Sequence, residues 1–388
     1  MKQILFTLDY ELYGNGTGNV FEHIIKPTEE LLAIARRHGI KYTIFFEVVE
    51  YWYLKREWER GNKMGYTEDP ISAMEQQLRE AYLQGHDVQL HLHPQWIGAV
   101  HQDGQWRLDL SNWCLGRYQG GGEYSLLSLL KRGKETIEEI IRPVDPHYSC
   151  IALRAGGYNA QPSEEIVRAM RQVGLKVDSS IYPGGFETGV LSNYDYTSVA
   201  PGLGHWYVED RLEYSTHGVT DIMELPIVAF PIRRLQKYLS SDRIKALFQN
   251  RKSAADTYSA KTANKGGIWG KISYFVELEW QTWDFCLFSK NLHRRFLKRI
   301  ESQRGRKEFV LVGHPKSYVS GESFNYLIGQ LKSSYQFLSM TELYDQRLKI
   351  GTKKGVKDTH KPETPAPEGP SPEGPEAGLY LVYKSSPQ

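Results

Sequence analysis

The stretch Pro70-Ile-Ser-Ala-Met-Glu-Gln-Gln-Leu-Arg-Glu-Ala-Tyr-Leu-Gln-Gly85-His-Asp-Val-Gln-Leu-His-Leu-His93 decides the fold. A proline opens a helical segment, Gly85 closes it, and an alternating strand pattern starts at once. Proline fits the first helical turn and glycine the left-handed cap, so together they bracket a helix. In the strand, Val88, Leu90 and Leu92 fall on one face and Gln89, His91 and His93 on the other. The same punctuation recurs on both sides. Residues 27–38 close on Gly39 and lead into an apolar run at 40–46, and residues 162–173 close on Gly174 and lead into 175–180. Further strands are expected at 2–10, at 150–155 behind a helix near 131–141, and at 309–314. Strands alternating with helices build βαβ units and a parallel α/β sheet. Periodicity alone leaves open whether that sheet is flat or closed.

The chain has 388 residues, 40% of them hydrophobic and 12% aromatic, which is enough apolar surface for a large core. With 48 Lys+Arg against 46 Asp+Glu, the net charge of +2 gives no general pull towards nucleic acid or membrane. Three widely spaced cysteines exclude a disulfide framework and a cysteine-based zinc site, and fit a reducing compartment. The N-terminal run meets Asp9 too early for a signal peptide, and no apolar run is long enough for a transmembrane segment, so the expectation is a cytoplasmic protein. The organisation read from the sequence is one α/β domain over 1–350 with a basic, mostly helical insertion at about 233–300. The densest part of that insertion, 233–271, holds ten Lys/Arg and two Asp/Glu. A Pro/Glu/Gly-rich tail over 351–388 is expected to be disordered. Residues 94–127, rich in Gly, Trp and Tyr without a clear period, read as a lid or binding loop after a strand.

The chemistry-bearing residues sit at strand ends. Asp9 and Glu11 share one face where the first strand finishes, His91 and His93 end another, and Arg154 and His314 end two more. The segment Met223-Glu224-Leu-Pro226 is a further candidate end. In a parallel α/β fold the C-terminal ends lie on one side of the sheet, where sites form. Two imidazoles at i, i+2 with carboxylates near them suit a divalent metal such as zinc. Trp96, Trp106, Trp113, Tyr118 and Tyr124 are candidates either for sugar stacking or for anchoring the loop.

Five segments, in order, resemble the motifs of polysaccharide deacetylases (carbohydrate esterase family 4): Thr7-Leu-Asp9-Tyr-Glu11, Gly85-His-Asp-Val-Gln-Leu-His91-Leu-His93-Pro, Leu153-Arg154-Ala-Gly-Gly-Tyr158, Val177-Asp178-Ser-Ser180 and Leu311-Val-Gly-His314-Pro. The resemblance implies a distorted (β/α)7 barrel, a divalent metal that is usually zinc, and hydrolytic removal of acetyl from an N-acetylated saccharide or glycoconjugate. It implies Asp9 as catalytic base, Glu11 and His91 as metal ligands, Arg154 as the group orienting the base, and His314 as general acid. It further implies Asp178 as the acid that tunes His314, and the backbone N–H near Tyr158 as an oxyanion donor; among the loop aromatics, Trp96 is the one expected beside the substrate. Three departures stand out. Gln95 occupies the usual second-histidine position, so either His93 takes that role or the second ligand is missing; the acids are spaced Asp-x-Glu; and the third motif loses a proline and gains a glycine. Two alternatives follow: a hydrolase of another non-peptide C–N bond, as in related barrels, or an inactive barrel that binds saccharide or a partner protein.

Overall fold

The computed structural model describes residues 1–216, 220–233, 278–318 and 320–355. Seven parallel strands carry the architecture: β1 (Lys2–Tyr10), β2 (Tyr42–Glu47), β3 (Asp87–Leu92), β4 (Ala152–Ala155), β5 (Val177–Asp178), β6 (Ile222–Glu224) and β7 (Glu308–Gly313). They are ordered β6-β5-β4-β3-β2-β1-β7, with Trp206–Val208 antiparallel outside β6 and Tyr335–Phe337 parallel to the start of β1. Every residue of β2, β3 and β7 is buried, as expected for strands covered on both faces.

The sheet curls back on itself. Ile227, just past β6, bridges Val310 of β7 in parallel, and the Val228 N–H donates to the Val310 carbonyl at 2.8 Å. Higher up, Asp284 bridges Val312, with Phe285 N–H and the Trp283 carbonyl bonded to it. The gap between β6 and β7 is thus closed by two short segments rather than a full ladder. This is a (β/α)7 barrel distorted at one seam, and the seam delivers Asp284 to the same end as the strand termini.

Helix α1 (Lys26–His38) follows β1 where the punctuation predicts it, whereas α2 (Val48–Glu59), directly after β2, is a helix the punctuation does not predict. Helix α3 (Pro70–Leu83) precedes β3 as predicted, α4 (Leu126–Ile141) lies near the expected helix before β4, and α5 (Glu164–Val173) follows β4 as predicted. Asp69 caps α3 by accepting from Ile71 and Ser72 N–H, with Pro70 at the first position. Gly39 and Gly174 end α1 and α5 at positive φ, where a Cβ would be penalised. At α5 the expected start shifts inward: Ser163 is the cap residue, and Pro162 lies before it. Towards the C-terminus come α6 (Lys290–Ser302), α7 (Gly321–Leu331) and α8 (Met340–Gly355). No helix among the described residues is long and apolar enough to cross a membrane. The basic segment at 233–271 and the Pro/Glu/Gly-rich tail lie almost wholly outside the described residues.

Candidate active site

The ends of β1, β3, β4 and β7 bring their polar side chains into one buried group. Asp9 Oδ1 accepts from Arg154 Nη1 at 2.6 Å. Arg154 is completely enclosed: Nη1 also reaches the Thr7 hydroxyl, Nε and Nη2 bond the Ser179 carbonyl and hydroxyl, and its plane lies over Phe45 at 4.1 Å. With four of its five N–H groups bonded, this guanidinium fixes where Asp9 points. The other Asp9 oxygen, Oδ2, faces His314 Nε2 at 3.5 Å. His314 Nδ1 bonds Asp284 Oδ2 at 2.8 Å, and Asp284 Oδ1 is held by the N–H groups of Cys286 and Leu287.

Next to this dyad, Glu11 Oε2 lies 2.8 Å from His93 Nε2 and 3.4 Å from His91 Nε2. The strand pairing sets this up, because His91 sits opposite Arg154 on β4 and Glu47 on β2. His91 Nδ1 is 2.8 Å from the Arg154 carbonyl oxygen, which only accepts, so Nδ1 donates. In a neutral ring Nε2 is then a bare lone pair, buried and without a hydrogen-bond partner, aimed at a carboxylate. His93 Nδ1 takes a bond from Gln95 Nε2 at 2.9 Å. A half-turn of that amide would offer its oxygen instead, so Gln95 can hold either tautomer of His93.

These contacts account for two of the departures, Gln95 and the extra glycine. With the second imidazole two residues after the first, the His93 ring swings towards the third motif. A Cβ on Gly156 would lie 2.3 Å from that ring, so the extra glycine is the space His93 occupies. Gln95 supports the ring that replaces it. One carboxylate and two oriented imidazoles form the donor set of a catalytic zinc site. The residues therefore fit a divalent ion held by Glu11, His91 and His93.

Neighbouring charges set the protonation states. Burial alone would raise Asp9 and Glu11, yet Arg154 holds Asp9 below its ordinary value, and Lys316 followed by the two imidazoles holds Glu11 well below. Burial works against protonated His91, but Glu11 outweighs it and lifts the ring to about 9. His314 is likewise lifted despite burial, chiefly by its bond to Asp284.

Two expected roles are corrected. Asp178 does not touch His314. Its oxygens accept from the Ser180 N–H and hydroxyl, and it pairs in register with Glu224 on β6. Asp284, on the seam segment, takes the position beside His314. Trp96 does not face a ligand: it is only 1% exposed and packs edge-on against Trp106 at 5.1 Å. From the same loop, which carries a hairpin of Val100–Gln102 and Gln105–Arg107 and four short turns, Trp113 approaches the site instead, 6.0 Å from the His93 ring. Tyr158 lies on the turn beside Gly156 at φ +63°, an uncommon conformation for a non-glycine, with its carbonyl held by the Tyr196 hydroxyl. Sequence reasoning also passed over Lys316, whose Nζ donates to Glu11 Oε1 at 2.7 Å, and Glu47, buried at the end of β2.

No family model matches the sequence, and no curated protein does either. Solved structures with a similar course include one from Mycobacterium smegmatis assigned as a polysaccharide deacetylase, at 11% identity, covering 94% of each chain with a TM-score of 0.44. Another is the Puue allantoinase, at 9% identity, covering 88% of each chain with a TM-score of 0.42. A third is the peptidoglycan deacetylase PdaC from Bacillus subtilis, at 11% identity, covering 92% of this chain and 98% of that one with a TM-score of 0.35. The chain resembles polysaccharide deacetylases. At these scores the likeness carries no argument about chemistry, which rests on the side chains.

Proposed function

We propose that this protein is a metal-dependent hydrolase that releases acetate from an N-acetylated saccharide. One observation carries the reading: His91 Nε2 and His93 Nε2 converge on one oxygen of a buried glutamate, a carboxylate and two imidazoles being the donor set that suits a divalent cation. When bound, a divalent ion supplies Lewis acidity towards a carbonyl and lowers the pKa of a water from 15.7 towards about 7.

The protein's own groups divide the remaining work. Asp9, kept ionised by Arg154, takes the proton of the attacking water. His314, kept protonated by Asp284, gives a proton to the departing nitrogen. Their facing atoms, Asp9 Oδ2 and His314 Nε2, are 3.5 Å apart, so the reacting atoms are bracketed by a base pushed down and an acid pushed up. The saccharide is the substrate class that the five sequence motifs imply.

The test is elemental analysis of the purified protein beside His91→Ala, together with acetate release from N-acetylated sugars. Stoichiometric metal that is lost in the variant, and acetate release by wild type, are expected. Metal without acetate release would move the reading to another C–N bond. Absence of metal would leave a binding module.

A further inference from the structure

Glu11 does not face the two imidazoles alone. Three residues past β7, on the turn Pro315–Ser317, Lys316 turns inward and is almost wholly buried, 6% exposed. Its Nζ donates to Glu11 Oε1 at 2.7 Å and to the Leu12 carbonyl at 2.8 Å. Tyr13 donates its hydroxyl to the Lys316 carbonyl at 3.0 Å, which ties the turn to the chain segment it serves. On the other side of the same residue, the Leu12 N–H is held by both oxygens of Glu50, at 3.0 and 3.2 Å. The chain just beyond Glu11 is thus clamped from both sides, by an acid on its N–H and by an ammonium on its C=O. A buried lysine is costly unless it is paired and hydrogen-bonded, and here both conditions are met beside the ligand cluster.

The two oxygens of Glu11 are therefore divided. Oε1 belongs to the ammonium, and only Oε2 points at His91 and His93. We propose that Lys316 is a positioning residue that restricts Glu11 to one-oxygen ligation and offsets its charge, keeping affinity for a divalent ion moderate. This inference rests on the metal-hydrolase reading above. The positioning group also sits two residues from His314, so the turn that places the acid places the restraint on the ligand.

Two variants separate charge from position. Lys316→Gln keeps a donor for Glu11 but removes the charge; Lys316→Met removes both. Affinity is read by competition of zinc with a chromophoric chelator, and ligation by the visible spectrum of the cobalt-substituted protein. Both variants should bind zinc more tightly, by about tenfold or more, because a positive charge that opposes the cation is removed from beside its ligand. Lys316→Met alone should also weaken the cobalt absorption, as Glu11 gains a second ligating oxygen. If Lys316→Met does not fold, the affinity of Lys316→Gln decides. Unchanged or weaker zinc binding in folded variants, beside a metal-binding wild type, overturns the role of Lys316 and leaves the hydrolase reading standing. A wild type that binds no zinc while Lys316→Met does would show that the ammonium takes the cation's place. That result would overturn both.

Discussion

Two pairs of buried carboxyl groups lie at the ends of the barrel strands, and they settle into opposite states. Asp9 and Glu11 on the β1 side are surrounded by Arg154, Lys316, His91, His93 and His314, and both stay below their ordinary pKa despite burial. Asp178 and Glu224 face each other in register on β5 and β6, and neither has an ion-pair partner among the described residues. Burial raises Asp178 to about 6, and burial plus Asp178 raises Glu224 well above its usual range. Burial is the same in both places, so it does not decide the charge. The cations supplied by neighbouring strands do: they make the first pair a base and a ligand, while the second pair, with no cation paired to it among the described residues, is pushed towards its protonated forms.

The largest expected effect breaks the first pair. Asp9→Asn keeps the shape and the Arg154 contact but cannot take a proton. Turnover should fall by about 10²–10⁴, the usual worth of a positioned base, while metal content stays at the wild-type level. Single-turnover acetate release beside elemental analysis measures both. Retained turnover would remove Asp9 from the reaction. The next effect lies in Asp284→Asn. His314 owes its raised pKa to Asp284, so the alkaline limb of the kcat/KM profile, which reports loss of the acid's proton, should move to lower pH. A profile that stays in place would mean that another group holds His314 protonated. Turnover at the optimum should drop less than in Asp9→Asn, because the acid remains.

Gly156→Ala tests how the ligand cluster is built. The new Cβ would meet the His93 ring at 2.3 Å, against the backbone of a tight turn, so the ring must move. Metal affinity should weaken by about 10–100-fold with little change in the pH profile, the signature of a disturbed ligand rather than a lost acid or base. Equal affinity in the variant would show that His93 is not a ligand.

These residues also mark the boundary of what the sequence makes legible. Asp9, Glu11, His91, His93, Arg154 and His314 could be gathered on paper because each ends an apolar strand, and parallel strands bring such ends to one side. Asp284 has no such signal: it lies on a seam segment that makes a single bridge instead of a periodic ladder. Asp178 does end a strand, but motif order cannot say which acid packs across the barrel onto His314. Lys316 looks like a solvated charge after a strand until the turn folds it onto Glu11. Trp96 looks like a loop aromatic because burial by its own hairpin neighbour Trp106 leaves no period in the sequence. Gly156 reads as an extra residue until the His93 ring is placed against it.

The smallest expected effect concerns stability, and it sharpens the contrast with the second pair. Asp178 titrates at about 6 in the folded protein against 3.8 ordinarily. A raised folded pKa means that its contribution to stability is fully present below the ordinary value and is lost as pH rises through about 6. Glu224→Gln replaces the competing acid with an amide that can donate to Asp178, so Asp178 can ionise without a repelling partner. The variant should gain on the order of 1 kcal/mol at about pH 8, a shift of a few degrees in Tm, and little at about pH 4. Thermal unfolding of both proteins across that range checks the sign. A gain that is equal at both ends would mean that the two acids do not repel each other, and the contrast between the two carboxylate pairs would then reduce to packing.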